Sequence, residues 1–153
     1  SSAMVNKYFS GILPAPTAEG SGDQAFRDTF TEAIPRIDRH LTELAFNKAL
    51  QTIWELVNKA NKYIDETQPW ALAKQEDKQE RLATVMYNLM ESIRLVALLI
   101  APFMPATGRR MLAVVGQNPE AVELQGKDGW GGLQPGARIE KAAPLFPRID
   151  EER

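Results

Sequence analysis

Three long stretches of this chain place an apolar side chain at every third or fourth residue, and that rhythm limits the fold more than any other feature. The first runs Phe26, Phe30, Ile34, Ile37, Leu41, Leu44; the second Phe46, Leu50, Ile53, Val57, Ala60, Ile64; the third Leu82, Met86, Leu89, Ile93, Val96, Ile100. Steps of three and four put these residues on one face of an α-helix, and an apolar face has to be covered by a neighbour. Long runs with short connections favour antiparallel neighbours, so the expected fold is all-α, an antiparallel helix bundle.

Local signals place the ends of these elements. Ser21 and Gln24 have the spacing of a capping box ahead of the first run. Pro35 removes a backbone donor and predicts a kink or division near the middle of that helix. Pro69 suits the first position of a short helix, Pro69 to about Lys74. Pro102 and Pro105 end the third long helix and permit another over about 105–115, while Met4 to Phe9 reads as the last turns of a helix begun earlier. Six of the ten glycines lie between Gly116 and Gly136, a texture of turns and loops. The apolar end Pro144-Leu145-Phe146-Pro147-Arg148-Ile149 is expected to fold back onto the rest. The expected organisation is a helical bundle over 1–115 and a loop-rich C-terminal arm over 116–153.

Composition removes several classes of function. With no cysteine, the 153-residue chain has no disulfide scaffold, thiolate metal site or cysteine nucleophile, and its single histidine, His40, excludes a multi-histidine metal site. The Gly-rich phosphate loops are absent, and Gly129, Gly131 and Gly132 around Trp130 read as plain loop. His40 reads as a solvated or capping residue, and Glu76, Asp77 and Glu80 among Lys74, Lys78 and Arg81 as a solvated helix start. No catalytic and no metal-binding residue is therefore expected. The longest apolar run, Leu95 to Met104, falls short of the roughly 18 residues needed to cross a bilayer, and no leader opens the chain. A cytoplasmic protein without membrane contact is expected. A net charge of −2 argues against gripping long duplexes, yet leaves room for recognition of a few exposed nucleotides.

The second run ends in Asn61-Lys62-Tyr63-Ile64-Asp65-Glu66-Thr67-Gln68-Pro69-Trp70. Asn61 and Asp65 are four apart and share a helix face. Asp65 and Glu66 sit near a helix C-terminus, against the macrodipole, although they also suit the start of the helix at Pro69. Trp54 follows Ile53 and reads as core, whereas Trp70 lies outside both long stripes. Two readings of Trp70 stand: a core residue at a helix corner, or a platform on which an unpaired base stacks beside hydrogen-bonding side chains.

The stretch from Asn61 through Pro69-Trp70 to Ala71-Leu72-Ala73-Lys74 resembles the anticodon-binding domain of bacterial-type methionyl-tRNA synthetases. Val5-Asn6-Lys7-Tyr8-Phe9-Ser10-Gly11 resembles the end of that family's connecting helix. Ile100-Ala101-Pro102-Phe103-Met104-Pro105 resembles its helix break, and the segment 144–149 its terminal signature. The resemblance implies recognition of the CAU anticodon of methionine tRNA, with a base stacked on Trp70, Pro69 shaping the contact, and Asn61 and Asp65 supporting it. It also implies a parent ligase that joins methionine to its tRNA using ATP with magnesium. That ligase's catalytic domain belongs to the same polypeptide, and many members form a homodimer through a further C-terminal domain. The catalytic signatures themselves, His-x-Gly-His and Lys-Met-Ser-Lys-Ser, do not occur, so this chain is expected to be non-catalytic. An Asn and an Arg of the connecting helix that also read the anticodon in the family would fall just before Ser1. The competing readings are a helix-bundle module for protein partners and the anticodon-binding bundle of another class I synthetase.

Overall fold

The computed structural model describes residues 2–20, 22–116, 130, 133, 135–136 and 138–139. Its helices are α1 (Ser2–Phe9), α2 (Asp23–Thr42), α3 (Phe46–Thr67), α4 (Pro69–Leu72), α5 (Gln79–Ile100) and α6 (Pro105–Val114), with a 3-10 turn at Glu76–Lys78 leading into α5. Among the described residues there is no strand, and a lone antiparallel bridge joins Ile12 to Arg138. The protein is all-α. The three apolar runs became α2, α3 and α5, and the proline signals at 69 and 105 became the first residues of α4 and α6.

Helix α5 is the axis of the molecule. From Leu82 to Ala101 every residue except Ile93 is buried, because α1, α2, α3, α4 and α6 all pack against it. The sequence rhythm shows one apolar stripe, whereas a helix enclosed on all sides has to be apolar or internally paired all round. By length and composition the segment Glu76–Ile100 is apolar enough to cross a membrane, but 94% of its apolar window is buried inside the bundle. Packing within the protein accounts for that apolarity. On the α6 side a Cβ at Gly108 would come within 3.0 Å of the Ala97 carbonyl, so glycine there lets the two helix backbones approach closely.

Pro35 does not divide α2, which continues to Thr42. Pro35 and Thr31, whose carbonyl loses its usual i+4 donor, both lie on the exposed face, where water can replace the missing bond. The N-cap of α2 is Gly22 with φ 88°; Ser21 lies outside the described residues, as does the segment 144–149. Instead of the expected box, the Asp23 carboxylate reaches back to accept the Gly20 N–H at 3.0 Å.

Two polar clusters tie the elements together. Asp23, fully buried, accepts from Arg81 Nη1 at 2.5 Å and Nη2 at 2.9 Å, and from the Tyr63 hydroxyl at 2.8 Å. Tyr63 in turn accepts from Asn88 Nδ2 at 3.0 Å, and its ring stacks on Phe26 at 4.2 Å. The second cluster is the buried Glu91–Arg94 pair, with contacts of 2.7 and 2.9 Å. Glu91 also accepts the Leu133 N–H at 3.2 Å, and Tyr87 donates to the Leu133 carbonyl at 2.8 Å. Farther along the arm, Gly136 N–H bonds Leu13 O at 2.8 Å and Ile139 N–H bonds Gly11 O at 2.7 Å.

Burial alone pushes the Asp23 carboxyl up, but the Arg81 guanidinium, the Gly20 N–H and the Tyr63 hydroxyl outweigh it and hold it below its ordinary value. Burial likewise raises the Tyr63 phenol, and the Asp23 bond raises the Arg81 guanidinium. An Asp whose native pKa is depressed stabilises the fold above its unfolded pKa and loses that contribution as pH falls through the native value. Asp23→Asn is expected to destabilise the protein by roughly 2 kcal/mol at neutral pH. That is less than the cost of breaking a fully buried pair, because Arg81 keeps 20% of its side chain exposed. In urea unfolding, the gap between wild type and variant should persist from neutrality down to about pH 4 and close below it.

Candidate nucleic-acid interface

Helix α3 buries Ala49, Thr52, Ile53, Leu56 and Tyr63 and turns Asn61 and Asp65 outward. The two polar side chains are one helical turn apart on the same exposed face, as their spacing requires. Tyr63 lies between them in sequence and points the opposite way, into the Asp23–Asn88 network. The outward face is therefore carried on backbone that is anchored from beneath.

The helix stops at Gln68, which takes the left-handed conformation with φ 48° and ψ 65°. Its N–H still donates to Ile64 O at 2.9 Å, while its own carbonyl accepts from Ala71 N–H at 2.9 Å and Leu72 N–H at 3.1 Å. One residue thus closes α3 and opens α4. Pro69 follows at the first helical position, where its missing N–H costs nothing, and it is buried. Trp70 emerges next with 43% of its surface exposed. That exposure removes the reading of Trp70 as a core residue.

Among the described residues, no hydrogen bond or ion pair engages the side chains of Asn61, Asp65 or Trp70. Nearby charges are mixed: Lys62 pairs with Glu66 at 3.7 Å, and Lys74, one turn after Trp70, is exposed. The corner presents an aromatic surface, an amide, two carboxylates and two ammonium groups to solvent. Such a set can stack on a planar ring and satisfy polar edges. It contains no nucleophile–base pair, and no group of three or more His, Asp or Glu among the described residues could hold a metal ion. The ring of His40 is half-buried, and its Nδ1 lacks a hydrogen-bond partner.

Trp54 corrects the expectation of a core residue, for it is 38% exposed. It sits about 100° around the helix from Ile53, past the edge of the apolar stripe. Leu44 and Phe46, counted within the apolar runs, are 72% and 50% exposed, the first in the turn between α2 and α3 and the second at the first position of α3. Sequence reasoning missed the support beneath the corner. Asp23 and Arg81 are 58 positions apart, and Trp130, read as plain loop, packs edge-on against Phe26 at 6.0 Å and Phe30 at 5.7 Å. The one local signal was a Tyr on the buried face beside polar neighbours, since a buried phenol needs a partner.

The turn at Gln68 aims Trp70, and its left-handed backbone is tolerated poorly by β-branched residues. Gln68→Val is expected to lower stability by about 1–2 kcal/mol, with Gln68→Gly neutral or slightly stabilising. Thermal unfolding of the two variants measures the difference.

Residues 13–153 match the family described as the anticodon binding domain of methionyl tRNA ligase. The chain is 41% identical over 150 residues to the methionine–tRNA ligase of Caldanaerobacter subterraneus subsp. tengcongensis, covering 98% of this chain and 23% of that protein. It is 39% identical over 158 residues to the methionine–tRNA ligase of Streptomyces coelicolor, covering 98% and 29%. The fold superposes on methionyl-tRNA synthetase of Mycobacterium tuberculosis in complex with methionyl-adenylate with a TM-score of 0.87 and 33% identity, over 96% of this chain and 29% of that one. For the free-state enzyme of that organism the values are 0.84 and 32%, over 97% and 30%. The chain thus spans between 23% and 30% of the length of these relatives.

Proposed function

This chain belongs to the family of anticodon binding domains of methionyl tRNA ligase, and from that premise we propose that it recognises the CAU anticodon of methionine tRNA. In this reading it is the non-catalytic part of a cytoplasmic ligase that joins methionine to its tRNA using ATP and magnesium. The observation that carries the reading is the exposed Trp70 at a fixed helix junction, beside Asn61 and Asp65 on an anchored helix face.

Anticodon bases are unpaired and can be splayed from the loop. One base lies on the Trp70 indole, held by stacking that needs only a planar partner. The neighbouring side chains then supply discrimination. The Asn61 amide offers both a donor and an acceptor to a base edge. The Asp65 carboxylate accepts from an amino group such as cytosine N4, and opposes the carbonyl oxygen that uracil carries at the same position. Pro69, buried at the first position of α4, fixes the backbone from which Trp70 projects.

In this reading ATP and magnesium serve the catalytic domain of the ligase. The partners in this reading are the anticodon loop of methionine tRNA and the catalytic domain of the same polypeptide. A second copy of the ligase, joined through a further C-terminal domain, completes the set. The bundle over 1–115 and the arm over 116–153 act together in this reading, which the burial of Leu133 and Ile139, two described residues of the arm, supports.

Trp70→Ala in the full-length ligase is expected to reduce kcat/KM for tRNA by roughly one to two orders of magnitude, from about 1–3 kcal/mol of lost stacking. Methionine activation, followed by ATP–pyrophosphate exchange, should change less than about twofold. Equal losses in the two assays would count against the assignment.

A further inference from the structure

Trp54 is the second exposed tryptophan of the bundle, and the residues around it are sorted by chemistry. At about 100° per residue, Asn47, Gln51, Trp54, Asn58 and Asn61 fall within roughly 80° of one another on α3, and Asp65 lies on the same row. All are exposed. Apart from Asp65, the row carries neutral amides and one indole. The charged residues Lys48, Glu55, Lys59, Lys62 and Glu66 occupy the adjoining sector, on the side where Glu55 meets Arg36 of α2 at 3.5 Å. The amide row therefore lies on the flank of α3 turned away from α2. The half-buried Val57 and Ile64 border that flank, and α4, which carries Trp70, packs against α5.

Amides present paired donors and acceptors, which suit base edges; isolated charges suit phosphates. An indole left 38% exposed among amides offers a stacking surface. From Trp54 to Asp65 the row extends for about 16 Å at 1.5 Å per residue, continuous with the corner at Asn61.

We propose that this flank extends the nucleic-acid interface: Trp54 stacks on a second unpaired nucleotide of the same RNA, with the Asn58 amide at its edge. The inference rests on the anticodon-recognition reading and adds to it a second, separate aromatic contact.

The test uses the full-length ligase and methionine tRNA, with Trp54→Ala, Trp54→Leu, Trp54→Phe and, as reference, Trp70→Ala. Trp54→Ala and Trp54→Leu should each raise KM for tRNA roughly 5- to 20-fold, the lower part of the range of one lost base–aromatic stack. Trp54→Phe should restore most of the affinity, because it keeps a ring. Preserved affinity in Trp54→Leu would show that Trp54 serves only packing, and would overturn the proposal. A loss shared equally by methionine activation would overturn it too, assigning Trp54 to contact with the rest of the ligase. If Trp70→Ala weakens tRNA recognition while Trp54→Ala does not, the extension fails and the anticodon reading stands. If neither variant changes KM for tRNA, the anticodon reading itself fails.

Discussion

A single carboxylate holds the working end of the bundle in register. Asp23 is fully buried and receives hydrogen bonds from Arg81, Tyr63 and the Gly20 backbone, so the starts of α2 and α5 and the end of α3 converge on one charge. The loop before α2 joins them, because Ala18 N–H donates to Thr84 Oγ1 at 2.8 Å and Arg81 donates to Ala18 O at 3.3 Å. A Cβ at Gly20 would lie 2.6 Å from the Arg81 guanidinium carbon, so any larger residue there would force the guanidinium to shift. A buried ion pair contributes little net stability compared with apolar replacements of the same shape. What it adds is geometry: a bidentate Arg–carboxylate contact is satisfied in one arrangement of its three helices. Apolar stripes alone would tolerate small slides of α3 along α5.

That fixed arrangement is what makes an exposed corner useful for recognition. A base stacked on an indole gains energy only if the indole is already in place, since ordering it on binding subtracts from the gain. Trp70 hangs from a buried proline and a left-handed Gln68, which together leave its backbone little freedom. Asn61 and Asp65 are held from below by Tyr63, whose hydroxyl both donates and accepts within the buried network.

Much of this was legible in the sequence, and the gaps have physical reasons. The three helices of the core follow from step-of-three-and-four spacing, a property of the local chain. Asn61 and Asp65 share a face for the same reason, and Pro69 announces a helix start. The direction of Trp70 was not legible, because it depends on a left-handed residue that here is Gln68 rather than the Gly or Asn that usually signals one. Trp54 was misplaced because an apolar residue next to a stripe looks like part of it, although one step along a helix is a turn of about 100°. Pro35 did not divide its helix because it falls on the solvent side. Contacts between distant positions, such as Asp23 with Arg81, leave no periodic trace at all.

The Glu91–Arg94 pair in the most apolar helix follows from the same need for satisfied polar groups. A loop residue seated in a helical core has no strand to pair with, so its N–H and carbonyl must be met by side chains. Leu133 is such a residue: Glu91 accepts its N–H and Tyr87 donates to its carbonyl. Arg94 then neutralises Glu91, without which the carboxylate would be an uncompensated buried charge. Nearby, Trp130 meets Phe26 edge-on, and Phe26 stacks on Tyr63 beneath the Asn61–Asp65 face. A continuous line of rings therefore leads from the arm to the floor of the candidate interface. The arm contributes to the rigidity of that face through packing, with none of its described residues needing to touch a ligand.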